Sequence, residues 1–97
     1  LRNSKKDKSN FEKNISITES INKDKNRNFI TIETVDSSGL LANIAKVFFD
    51  NNISIYSARI NTLGERVEDT FEVENFNKKL VPSYKVKKII SELRKVV

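Results

Sequence analysis

Asp36, Ser37, Ser38 and Gly39 stand directly ahead of an apolar-periodic run that opens with Leu40 and Leu41. Serine at the start of a helix offers a hydroxyl cap, and glycine lets the chain turn sharply and leaves room for close approach. The N–H groups of Gly39, Leu40 and Leu41 would then project from a helix start, where partial positive charge favours a carboxylate or phosphate. Asp36, at the end of the preceding strand, would accept hydrogen bonds from an ammonium group. A carboxylate site and an ammonium site one loop apart suit an amino acid. The plainer alternative is a helix cap followed by no ligand, with Asp36 a turn residue.

A second group gathers around Gly64: Arg59, Glu65, Arg66, Glu68 and Asp69. Glu68 and Asp69 are adjacent in an alternating stretch, so their side chains point to opposite faces and cannot clamp one cation from the same side. Asp69 alone falls on the apolar face, where a carboxylate is costly unless paired. A structural or interdomain salt bridge to Arg59 or Arg66 is therefore expected. Relaying a conformational state to another part of a longer protein and binding a metal are the rival roles.

Other chemistry is excluded by composition. The chain has no cysteine and no histidine, which removes disulfides, thiol catalysis, the commonest general base and the commonest transition-metal ligand. No apolar run approaches the ~20 residues of a membrane span, and the first residues lack a signal-peptide core. A cytoplasmic protein with no membrane partner is expected. The absence of an initiator methionine suggests a piece of something longer.

The net charge of +5 resolves unevenly: residues 1–27 hold eight Lys/Arg against four Asp/Glu, and residues 28–97 hold ten against nine. A nucleic-acid module should carry its basic patch on the folded surface. Tyr56 and Phe71 on strands raise an RNA-binding reading, but Glu68, Asp69, Glu72 and Glu74 beside Phe71 would repel a phosphate backbone. No nucleic-acid partner is expected, and Phe71 reads as core.

The elements that must position these groups follow from periodicity. Residues 1–14 are polar, lysine-rich and aperiodic, a basic flexible linker ahead of a domain at 15–97. Ile15, Ile17 and Ile21 alternate with polar residues as a short strand interrupted by Glu19. The polar cluster 22–28 leads to a second strand, Phe29 to Val35. A helix is expected from Gly39 or Leu40 to Asp50, with Leu40, Leu41, Ile44, Ala45, Val47 and Phe48 on its apolar face, ended by Asn51 and Asn52 in left-handed backbone. Ile53 to Asn61 forms a strand, Thr62 to Glu65 a turn, and Arg66 to Val73 a strand with Val67, Asp69, Phe71 and Val73 on one side. Pro82 suits the first turn of a last helix carrying Val86, Ile89, Ile90, Leu93 and Val96 or Val97. Lys85, Lys87, Lys88, Arg94 and Lys95 form its solvated face.

Strand, strand, helix, strand, strand, helix is a ferredoxin-like unit without its closing strand. The N-terminal strand can replace it, because a hairpin sets it antiparallel to the second. The expectation is an α+β fold: a four-stranded antiparallel sheet ordered first, second, fourth, third, with two helices on one face.

These residues match a known family. Asp36-Ser37-Ser38-Gly39-Leu40-Leu41, followed by ANIAKVFFDNNISI, resembles the ACT domain, a ligand-sensing module whose first loop reads D-x-P-G-L-L. The string SARINTLGERVEDTF, Ser57 to Phe71, is similar to the C-terminal ACT domain of the bifunctional PII uridylyltransferase/uridylyl-removing enzymes. The resemblance implies a regulatory module of a nitrogen-signalling enzyme, with no catalytic residue and no cofactor of its own. It implies glutamine as effector, although another small amino acid would satisfy the same contacts. Carried over by position, the pocket uses Asp36, Ser37, Ser38, Gly39, Leu40 and Leu41, with Asn52, Ile53 and Ser54 entering the next strand; Asn52 or a backbone edge could read the amide. Ser38 departs from the family's proline and removes a stiffening residue from the loop. Implied partners are another ACT domain, as a homodimer or the preceding domain of the parent chain, and the PII signal protein through the parent enzyme. The alternative is a structural ACT pairing module without its own ligand.

Overall fold

The computed structural model describes residues 14–97; the expected linker over 1–14 lies outside them but for Asn14. The elements run β1 (Ser16–Asn22), β2 (Arg27–Val35), α1 (Leu40–Asp50), β3 (Ile53–Leu63), β4 (Arg66–Asn75) and α2 (Ser83–Val96). The strands form one four-stranded sheet ordered β1-β2-β4-β3, every neighbouring pair antiparallel. This is the expected α+β ferredoxin-like arrangement, consistent with an ACT domain, with β1 in the closing-strand position.

Period-two alternation decides which face each strand buries. In β4 the odd-numbered residues Val67, Asp69, Phe71, Val73 and Asn75 are buried, and the even-numbered ones are half-buried on the other face. Ile30 and Ile32 of β2 meet Phe71 and Asp69 in register on the helix side. Leu40, Ile44, Val47 and Phe48 of α1 and Val86, Ile89 and Leu93 of α2 complete the core. Phe48 and Phe71 pack edge to face, 5.5 Å between ring centroids, the geometry the ring quadrupoles favour.

The apolar faces expected of the helices are wider than those buried. Leu41 is 47% exposed and Ala45 is exposed, because α1 overlies only part of β3. In α2, Val96 is exposed while Ile90 and Val97 pack partly against the core. Three strands also outrun their expected limits: β2 begins at Arg27, β3 continues to Leu63 and β4 to Asn75. Cross-strand pairing recruits flanking polar residues that periodicity leaves out.

Two polar contacts lock the layers. Buried Asn28 donates to Glu19 Oε2 at 2.7 Å and accepts from the Val81 N–H at 2.9 Å, tying the approach to α2 onto the sheet. Glu19 therefore interrupts the apolar face of β1 without being orphaned. Asn51 closes α1, donating to the Val47 carbonyl and to Glu92 of α2, both at 2.8 Å. Asn52 takes the left-handed backbone (φ 57°), whereas Asn51 (φ −101°) does not.

Candidate functional site

The loop from Asp36 to Gly39 joins the end of β2 to α1. The Asp36 N–H donates to the Glu65 carbonyl at 2.9 Å, fastening this loop to the β3–β4 hairpin. That hairpin closes through Gly64 and Glu65, with Gly64 at φ 70°, a backbone that favours glycine. Asp36, Ser37, Ser38 and Gly39 are all exposed.

The helix start differs from the expected one in its capping. Gly39 itself is the cap residue, in left-handed backbone (φ 78°), and neither serine makes a side-chain cap bond. The turn is closed by backbone instead: Leu40 N–H donates to the Ser37 carbonyl at 3.2 Å, and the helix ladder begins with Asn43 N–H on the Gly39 carbonyl at 3.0 Å. Leu40's N–H is therefore engaged, and the donors lying ahead of the ladder within α1 are those of Leu41 and Ala42. A helix start with forward N–H groups suits a carboxylate. Asp36 lies one loop away with its side chain in the open.

Asn52, Ile53 and Ser54 lie at the far end of the domain. The register sets Ile53 against Asn75 and Leu63 against Arg66, nine residues apart on β4 and therefore about 30 Å. The Asp36 loop is at the Arg66 end. One small ligand cannot touch both groups within one chain, since the eleven residues of α1 set the helix start and Asn52 about 16 Å apart.

The salt-bridge expectation for Asp69 is corrected within the chain. Asp69 is buried, 1% exposed, but Arg59 pairs with Thr70 in register and Arg66 has the even-numbered parity of the opposite face. Strand alternation thus directs both guanidinium groups away from the Asp69 carboxylate. Among the described residues no ion pair involves Arg59, Glu65, Arg66 or Asp69; Arg66 instead donates to the Asn14 carbonyl at 2.7 Å. Burial raises the Asp69 carboxyl above its ordinary pKa, nearby Asp36 raises it further, and a hydrogen bond from the Asn61 backbone N–H opposes both. Its Oδ1 has no partner among the described residues.

Arg27 is a polar centre that sequence reading missed, because it lay in what read as a turn. It reaches Glu72 at 3.2 Å and Glu74 at 3.5 Å, and its guanidinium sits 3.4 Å from the centre of the Tyr56 ring. The ladder shifts register between Ile55 and Ser57, so Tyr56 is the extra residue of a bulge. The usable signal was the alternation of Glu72 and Glu74 on the polar face of β4, which calls for a cation on the neighbouring strand.

Fold and loop together define a small ferredoxin-like domain consistent with an ACT domain. Comparison with known proteins carries this further: the chain is homologous to a small domain of the bifunctional uridylyltransferase/uridylyl-removing enzyme. It is 35% identical over 83 residues to that enzyme of Psychrobacter cryohalolentis, covering 86% of this chain and 9% of the relative. The enzyme of Acinetobacter baumannii (strain AYE) is 36% identical over 84 residues, 87% of this chain and 9% of the relative. That of Pseudoalteromonas translucida is 41% identical over 71 residues, 73% of this chain and 8% of the relative. The chain thus spans about one-tenth of the length of these relatives. No protein-family model matches the chain, and no solved structure matches it. No helix among the described residues is long and apolar enough to cross a membrane.

Proposed function

We propose that this chain is a regulatory, amino-acid-binding ACT domain, sensing glutamine within a cytoplasmic uridylyltransferase/uridylyl-removing enzyme and so controlling nitrogen-dependent signalling through the PII protein. It catalyses nothing itself and uses no cofactor. The observation that supports this reading is the Asp36 loop: an exposed carboxylate close in sequence to the forward N–H groups of a helix start, on a loop fastened to the β3–β4 hairpin by the Asp36–Glu65 backbone hydrogen bond.

With this loop and Asn52 to Ser54 at opposite ends of α1, a site using both groups would be shared by two domains. β3 is an edge strand. Antiparallel pairing of two such edges about a two-fold axis would set the Ile53 end of one β3 against the Leu63 end of the other, and so bring Asn52 to Ser54 of one domain toward the Asp36 loop of its neighbour. Glutamine would then bind one arrangement of the pair better than another and bias distant active sites by shifting populations.

Isothermal titration with L-glutamine, with glutamate and serine as controls and the mass measured in solution, tests the reading. Saturable binding selective for glutamine, lost in Asp36→Ala, is expected. A well-folded dimer giving no heat at millimolar glutamine would replace it with the second reading, a structural pairing module without its own ligand. That reading is favoured by the exposed apolar side chains of β3, Ile55, Ile60 and Leu63.

A further inference from the structure

The helices cover one face of the sheet, and the other is open. On the open face lies a depression of about 540 Å³, lined by Phe29, Ser57, Ala58, Arg59, Thr70 and Glu72. Its size falls within the roughly 300–1,000 Å³ of small-molecule sites. The register explains the grouping: Phe29 stands opposite Glu72, Thr31 opposite Thr70, and Arg59 beside Thr70 on the edge strand.

The polar groups around this depression are not equally occupied. Glu72 spends both oxygens, Oε2 on Arg27 at 3.2 Å and Oε1 on the Ser57 hydroxyl at 3.2 Å. Thr31 and Thr70 bond each other through their hydroxyls at 3.1 Å. Arg27 is engaged by two carboxylates and an aromatic ring. Arg59 is exposed and has no carboxylate within ion-pair distance among the described residues. The unspent function at the depression is therefore a planar cation with five donors, two strands away from a half-buried phenyl ring with β4 between them.

We propose that the open sheet face carries a second small-molecule site, for an aromatic carboxylic acid whose ring lies on Phe29 and whose carboxylate pairs with Arg59. A guanidinium takes a carboxylate in a two-point geometry, and offset stacking on Phe29 accommodates a flat apolar body. The neighbouring row narrows the class. Glu33 and Glu68 face each other across β2 and β4, directly beside the row of Arg59. Two carboxylates there repel a polyanion, so the occupant carries a single negative charge and is neither a nucleotide nor a nucleic acid. This site is on the opposite side of the sheet from α1 and does not depend on the amino-acid reading of the Asp36 loop.

The test is a titration of the isotope-labelled chain with 3-phenylpropionate, followed by amide chemical shifts. Saturable shifts centred on Phe29, Ser57 and Thr70 are expected, and excess L-glutamine does not displace the ligand. Arg59→Gln, an exposed substitution whose folding is checked by its thermal melt, weakens binding about tenfold, and the neutral analogue 3-phenyl-1-propanol is weaker on the wild-type protein by a similar factor. Shifts that never saturate, equal affinity in Arg59→Gln, or shifts centred on residues 36–41 would each overturn the proposal. So would loss of the site with rising protein concentration, which would assign this face to a second copy of the chain.

Discussion

The backbone N–H of Asp36 donates to the carbonyl of Glu65 at 2.9 Å, so the loop that starts α1 hangs on a hairpin contributed by residues almost thirty positions later. Loop and hairpin are one mechanical unit, and substitutions in either should be felt at the other.

Gly64 sets the shape of that hairpin. Its φ of 70° is the left-handed region, and a Cβ there meets nothing within 4 Å, so only the backbone objects to a side chain. Gly64→Ala is expected to cost about 1–2 kcal/mol, and Gly64→Asn less, since asparagine tolerates this backbone. Urea denaturation checks the order. Glutamine affinity, where binding is present, should fall in the same order as the hairpin loosens its hold on Asp36.

Asp69 gives a pH dependence of definite sign. Its folded pKa is raised, so the folded chain binds the proton more tightly than the unfolded chain. Its contribution is therefore most favourable below the unfolded value, about 3.9, and is lost as pH rises through the folded one. Asp69→Asn should raise the melting temperature at pH 7, with the gain shrinking as pH falls toward 4. A variant destabilised equally at both pH values would show that the carboxylate holds a contact the fold needs.

Asn28 joins β1, β2 and the segment before α2 through one buried amide. Asn28→Ala leaves the Val81 N–H and the Glu19 carboxylate without this partner. A loss of about 2–3 kcal/mol is expected by chemical denaturation, more than a surface substitution would cause.

Phe49 is 79% exposed on α1. Phe49→Ser should change monomer stability by no more than about 0.5 kcal/mol, while weakening self-association if α1 and β3 form the pairing surface. Sedimentation velocity across a concentration series separates the two effects.

Much of this was readable along the chain. Alternation in Arg66 to Val73 places Asp69 on the core side and Glu68 on the other, and the hairpin logic puts Ile15 to Ile21 beside Phe29 to Val35 as the closing strand. Both are local periodicities that burial preserves. The loop ahead of α1 was also legible, because polar residues and a glycine before an apolar-periodic run are a one-dimensional signal, although neither serine caps the helix.

What the sequence by itself determined was the set of elements and the face each strand buries, which follow from the residue periods, and the order in which the strands pair, which follows from the ferredoxin-like order of elements and the N-terminal hairpin. Tertiary structure alone decided the rest. It made Gly39 the cap in place of the serines, because the Ser37 carbonyl already satisfies Leu40. Register set Asn52 to Ser54 at the opposite end of the sheet from Asp36, and cross-strand pairing with Thr70 turned Arg59 away from Asp69. It also drew Arg27 out of an apparent turn onto Glu72, Glu74 and Tyr56. For the position of Asn52 to Ser54, the direction of Arg59 and the partners of Arg27, distance and direction between residues far apart in the chain are fixed by strand register and packing, and no local window contains them.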